Sequence, residues 1–177
     1  MLPFFLVFVG ITLFVNGVSL RAAHLAHTSQ EFNPRDVGVV NIFTGLMGMV
    51  LLSIAVARST ITDESLAPAA YMGLFVLTYF WLGINSFTGA SGRAFGWFSL
   101  LVPFVGIPVG IQTFMQADSG FMVWLGFSWF AWSILWFMFF LLMALDKPIG
   151  RITGTTTAWQ GVLTAFMPAI LHFWEVI

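Results

Sequence analysis

Charged residues punctuate this sequence, and the intervals between them set its architecture. Six stretches carry no charge: 2–20, 37–57, 65–92, 94–117, 119–145 and 152–174. Each is long enough to cross a hydrocarbon core as a helix. Only helices and closed barrels satisfy their backbone in lipid, and these runs far exceed the ~10 residues of a barrel strand. The pattern predicts an all-α integral membrane protein, a six-transmembrane-helix bundle. Its helices are expected near 2–20, 37–57, 66–86, 95–115, 120–145 and 153–174, in a single transmembrane domain over 1–177.

The fifth stretch stands out. Phe121 to Leu145 contains four tryptophans. Trp129, Trp132 and Trp136 follow an i, i+3, i+7 spacing that puts three indoles on one stripe, continued by Phe140 and Met143. Trp124 falls about 80° from Trp132 and about 140° from Trp129 at 100° per residue, so it is expected to face lipid or a neighbouring subunit. Tryptophan usually collects at the membrane boundary, not along a span. A column of rings at mid-membrane therefore packs helices together or walls a passage for a flat molecule.

Polar residues inside the spans form further stripes. Val9, Leu13 and Asn16 share one, Phe75, Tyr79 and Leu82 another, and Thr153, Thr157, Gln160 and Thr164 a third. Threonine can satisfy itself on the i−4 carbonyl. The primary amides of Asn16, Asn41, Asn85 and Gln160 cannot, having two donors and two acceptor lone pairs each. Asn41 and Asn85 read as interhelical hydrogen-bonding residues. Asn16, Gln160 and Thr164 lie on stripes that hold the better pore-facing candidates. In the second span Gly38, Asn41, Gly45 and Gly48 form a small-residue face for close helix packing. Pro103, Gly106, Pro108 and Gly110 predict a kinked fourth span.

Composition narrows the function. The 177 residues are 59% hydrophobic and 7% charged, where a soluble domain carries about a quarter charged residues. There is no cysteine, hence no disulfide or thiolate site. A net charge of −1 gives no reason to expect a nucleic-acid partner. No Asp, Glu, Lys or Arg falls clearly inside a span, so the proton relays and ion sites that such charges mark are not expected. His24 and His27 fall in a loop and His172 at the far end, so no metal site, cofactor or catalytic triad can be assembled, and an enzyme is not expected. The first stretch lacks a basic n-region and a cleavage motif and reads as a retained span. Loops one, three and five hold Arg21, Arg35, Arg93, Lys147 and Arg151, whereas the remaining loops and termini hold Arg58. This split puts the odd loops in the cytoplasm and both termini outside.

Several motifs together carry a resemblance. Thr78-Tyr79-Phe80-Trp81-Leu82-Gly83-Ile84-Asn85 is followed by Gly96-Trp97-Phe98-Ser99-Leu100. Val9-Gly10 precedes Asn16-Gly17, Asn41-x-Phe43 lies in the second span, and Trp129-x-x-Trp132-x-x-x-Trp136 in the fifth. Gly161-Val162-Leu163-Thr164-Ala165-Phe166-Met167-Pro168-Ala169 closes the sixth. In this order the chain resembles the bacterial amide–urea channel family, which includes the proton-gated urea channel of gastric bacteria and amidase-linked amide permeases. The resemblance implies a six-helix protomer with its own pore, a homohexamer, and lipid plugging the ring centre. It implies pore-facing positions at Val9, Leu13, Asn16, Phe75, Tyr79, Trp129, Trp132, Trp136 and Gln160. The gastric channel has a carboxylate where this sequence has Gln160.

The expected function is a passive channel in the bacterial cytoplasmic (inner) membrane. It would conduct urea or short aliphatic amides, with a functional link to a cytoplasmic urease or amidase. Such solutes are planar, neutral and strongly hydrated, and lose several kcal/mol of hydrogen bonding in lipid. Indole faces would sandwich the solute, Trp N–H and Tyr O–H would meet its carbonyl, and Asn16 and Gln160 would accept from its N–H groups. The alternatives are a secondary transporter for a small neutral solute, or a non-conducting assembly or sensor protein.

Overall fold

The computed structural model describes residues 1–25 and 32–177; His27 lies outside the described residues. Among the described residues every regular element is helical. The elements are α1 (Leu2–Ala23), α2 (Pro34–Thr62), α3 (Ala67–Thr88), α4 (Arg93–Met115), α5 (Gly120–Phe139), α6 (Gly150–Gln160) and α7 (Met167–Phe173). Five helices are unbroken, long and apolar enough to cross a membrane. The sixth span runs from Gly150 to Phe173 in three parts, because a π-helical turn over Gly161–Phe166 joins α6 to α7. A second π turn, Phe140–Ala144, extends α5.

Local chemistry explains the ends. Asn33 caps α2 by accepting from the Arg35 N–H at 3.0 Å, and Pro34 occupies the first helical position. This start signal and continued helix past Arg58 make the second span longer than its uncharged core, 37–57, suggested. Gly89 ends α3 at φ 71°, a left-handed conformation that costs glycine little. α4 continues through Pro103 and Pro108 to Met115.

Small residues set the helix pairs. α2 packs on α3 through the expected face: a Cβ on Gly48 would lie 2.7 Å from a Val76 methyl, and one on Gly45 3.0 Å from the Phe80 ring. The tighter contact, between α1 and the sixth span, was not expected. A Cβ on Gly10 would lie 2.7 Å from the Gly161 carbonyl, and one on Gly161 2.7 Å from the Gly10 carbonyl. Their backbones touch, as they do where small residues let membrane helices approach. Every charged side chain among the described residues is exposed. So are large apolar ones on the outward faces, such as Leu46 on α2 and Phe104 on α4 at 72% exposure. In water this surface would be anomalous, but against lipid or another subunit it is the expected one. The chain is a multi-pass membrane protein.

Candidate functional site

The inner faces of the helices enclose three cavities in series. At the end of the bundle that carries both chain termini lies a vestibule of about 420 Å3. Leu2, Phe5 and Leu6 of α1, Tyr71 and Met72 of α3, Val109 of α4 and Leu125 and Trp129 of α5 form its walls. At the opposite end, among the basic loops, lies a second vestibule, also about 420 Å3. Its lining includes Asn16, Ser19, His24, Asn41, Ser86, Ser91 and Asp146. Between them is a central cavity of about 30 Å3, far smaller than either vestibule. Phe75 and Trp132 line both the terminal vestibule and the centre, and Asn16, Leu82 and Phe139 line both the centre and the basic vestibule.

The centre is built on Phe75. Its ring meets Trp129, Trp132 and Trp136 at centroid separations of 5.7, 5.0 and 4.9 Å, with planes crossing at 69°, 81° and 67°. The indole stripe of α5 therefore converges on one phenylalanine of α3. The rings meet edge to face, as their quadrupoles favour, and do not form parallel plates.

The indole N–H groups are mostly committed within the protein. Trp132 Nε1 donates to Thr164 Oγ1 at 2.8 Å, and that hydroxyl donates to the Gln160 carbonyl at 2.6 Å. Trp136 Nε1 donates to Thr78 Oγ1 at 3.3 Å, and that hydroxyl donates to the Leu74 carbonyl at 2.8 Å. Trp124 does not simply face outward. Its Nε1 donates to the Leu163 carbonyl at 2.7 Å, and Ser128 Oγ donates to the Thr164 carbonyl at 3.0 Å. Pro168 explains those acceptors: it has no N–H to offer the carbonyls four and five residues back, which are Thr164 and Leu163. The π turn frees two carbonyls, and α5 occupies them. π turns recur at functional sites, and this one fixes the rotamer of Trp132 through Thr164.

The amides divide into two cases. Asn16 Nδ2 donates to Asn41 Oδ1 at 3.0 Å, and Asn41 Nδ2 donates back to Asn16 Oδ1 at 2.7 Å. Asn41 also donates to the Val37 carbonyl at 2.9 Å. This pair joins α1 to α2, and it stands where the centre opens into the basic vestibule. Gln160 Nε2 donates to the Ala131 carbonyl at 2.9 Å, while its Oε1 is buried without a donor.

Of the residues expected from sequence, the structure brings Leu13, Asn16, Phe75, Tyr79, Trp132 and Trp136 together around the centre and places Trp129 in the terminal vestibule. Val9 is fully buried against neighbouring helices, and Val9, Gln160 and Thr164 line none of the three cavities. Leu82, Phe95, Leu135, Phe139 and Thr157 also line the centre. Phe139 was legible: it follows Trp132 by seven residues, about 20° from it around the helix. Leu2, Phe5 and Leu6 extend the Val9–Leu13 stripe toward the N-terminus. Arg93 Nη2 and Asp146 Oδ2, both exposed, pair at 2.5 Å at the basic end. Among the described residues no cluster of His, Asp or Glu has the arrangement of a metal site.

This passage has an apolar mouth, a ring-lined waist and an uncharged lining up to Asp146. The sequence of AmiS/UreI family transporters matches residues 1–176. The chain belongs to the AmiS/UreI family. A protein of Mycolicibacterium smegmatis described as an amidate substrates transporter is 32% identical over 168 residues, covering 94% of this chain and 73% of that protein. The acid-activated urea channel of Helicobacter pylori is 27% identical over 198 residues, covering 98% of this chain and 97% of the channel. The crystal structure of that urea channel superposes with a TM-score of 0.85 at 29% identity, covering 99% of this chain and 98% of the other. Members of this family are transporters and channels rather than enzymes.

Proposed function

We propose that this AmiS/UreI protein is a passive channel that conducts urea and short aliphatic amides through a pore in each protomer. The observation that carries this is the waist: a passage walled by Phe75, Trp132, Trp136 and Leu13, with no charged side chain. An ion there would find nothing to replace its hydration shell. A neutral planar solute needs only a few partners, and the Tyr79 hydroxyl and the Asn16 amide lie in the wall. The waist is the smallest of the three spaces in series, so the solute meets the ring edges there. Leu13, Asn16, Phe75, Tyr79, Trp129, Trp132 and Trp136 are assigned to the lining. Val9, Gln160 and Thr164 act from behind it, Thr164 by holding Trp132.

The five basic residues at one end set that end in the cytoplasm and both termini outside, in the bacterial inner membrane. The exposed apolar faces of α2 and α4 suit a homohexamer with lipid at its centre. The permeant is passed to a urease or amidase in the cytoplasm. Stopped-flow measurements on proteoliposomes test the reading. Urea and acetamide should equilibrate without accumulating, at rates independent of imposed ion gradients. Concentrative uptake collapsed by an uncoupler would identify a secondary transporter for a small neutral solute instead.

A further inference from the structure

Four tryptophans lie on α5, and three have their N–H tied: Trp124 to the Leu163 carbonyl, Trp132 to Thr164 and Trp136 to Thr78. Trp129 has no acceptor among the described residues. Nor is its N–H sealed away, since among the described residues the one buried side-chain polar atom without a partner is Gln160 Oε1. Trp129 lines the terminal vestibule and not the waist. Its indole, with an N–H unpaired among the described residues, is part of the vestibule wall beside the rings of Phe75 and Trp132. An indole N–H left unpaired by the protein in a cavity wall is open to an acceptor from outside it.

The vestibule around it is graded. Phe5, Leu6, Val109 and Leu125 are 1%, 2%, 7% and 8% exposed and form the deep wall. Ser65, Gln112 and Gln116 are exposed and form the rim. At about 420 Å3 the vestibule has far more room for a small solute than the waist, at about 30 Å3. One directed donor on an apolar floor is the usual layout of a site that orients a ligand by one polar group and holds it by its hydrocarbon.

We infer that the terminal vestibule is an acyl-chain subsite: Trp129 Nε1 donates to the carbonyl oxygen of an aliphatic amide while Leu6, Val109 and Leu125 hold its alkyl chain. This rests on the channel reading above. Urea uses the donor but has no alkyl group for the wall. An aliphatic amide uses both, and each buried methylene tightens binding by about three- to fourfold.

The test is competition against radiolabelled urea flux in proteoliposomes, with formamide, acetamide, propionamide and butyramide added on the side of the termini. The half-inhibitory concentration should fall by about three- to fourfold per added carbon across the series. Val109→Thr keeps the wall's shape and should flatten that dependence, and Leu125→Asn should do the same if Val109→Thr yields no folded protein. Trp129→Phe should weaken all four amides by a similar factor and leave the dependence on chain length intact. A flat series in the wild type, or a slope that survives both wall substitutions, overturns the subsite and leaves the channel standing. Absence of any labelled urea flux in the wild type overturns both.

Discussion

The two vestibules have the same volume, about 420 Å3 each, and opposite chemistry. The terminal one is walled by Phe5, Leu6, Val109 and Leu125, with Ser65, Gln112 and Gln116 at its rim and the Trp129 indole in its wall. The basic one is walled by serines, the Asn16–Asn41 pair, His24 and Asp146. In a passive pore this difference cannot set the direction of net flux, which follows the gradient. It sets where a solute waits. On the proposed reading, a partly apolar solute rests at the terminal end and meets the Asn16–Asn41 pair only beyond the waist. Keeping the two chambers distinct is the task of the rings around Phe75.

The largest expected effect comes from removing that partition. Trp132→Ala takes away a side chain that is 2% exposed and touches both the waist and the terminal vestibule. Such a deletion costs about 3–5 kcal/mol of packing. Urea flux at matched reconstitution should fall by about tenfold or more, which is ~1.4 kcal/mol on the barrier. Phe127, at 60% exposure on the same helix, is the control, and Phe127→Ala should change flux little. Equal effects would mean that the rings pack helices and do not form the partition.

A subtler break leaves the ring in place and frees it. Thr164→Val removes the acceptor of the Trp132 N–H, a hydrogen bond worth about 1 kcal/mol, and strands a donor that is costlier to leave unpaired. Flux should drop about fivefold, the equivalent of ~1 kcal/mol, and Thr164→Ser should restore it. Failure of serine to rescue would show that the methyl group, not the hydroxyl, supports the waist.

The basic side can be tested through its own pair. Asn16→Ala and Asn41→Ala each leave one amide without its partner across the α1–α2 contact. In a double-mutant cycle on flux the two should be coupled by about 0.5–1 kcal/mol, toward the low end for residues sharing a hydrogen-bond network. Additive effects would make Asn16 a direct solute contact that does not depend on Asn41.

These contrasts also mark what the sequence could reveal. Uncharged intervals located the helices because charges are excluded from hydrocarbon whatever the packing. Helical spacing placed Leu13, Asn16, Phe75, Tyr79, Trp132 and Trp136 on stripes because each lies on one face of a regular helix. Periodicity does not specify depth or hydrogen-bond partners. Gln160 and Thr164 share a polar stripe, yet a π turn over Gly161–Phe166 begins between them and directs the stripe at α5. Trp124 lies off the indole stripe, but Pro168, on another span, leaves a carbonyl for its N–H. The α1 glycines looked unremarkable because their partners, Gly154 and Gly161, are far away in sequence. Asn41, read as interhelical, is the member of the pair that fixes Asn16, itself read as pore-facing.

The smallest expected effect is that of pH, and it tests whether either vestibule carries a switch. The Helicobacter pylori relative is described as acid-activated. A carboxylate in water titrates near pH 4 and an imidazole near 6.5, so the window from about pH 5 to 7.5 isolates histidine. At the terminal end Asp63, Glu64, Asp118, His172 and Glu175 are all exposed, and none lines the vestibule. His172 rests 4.7 Å from the Phe121 ring, off the passage. No acid or histidine lines the waist. At the basic end His24 and Asp146 line the vestibule, with Arg93 paired to Asp146. Acidifying only the terminal side of proteoliposomes, from about pH 7.5 to 5, should therefore leave urea flux within about twofold, because no histidine or acid among the described residues lines the terminal vestibule or the waist. Severalfold activation by terminal-side acid, abolished by His172→Ala, would refute this and make His172 a sensor acting through Phe121 on the wall of α5.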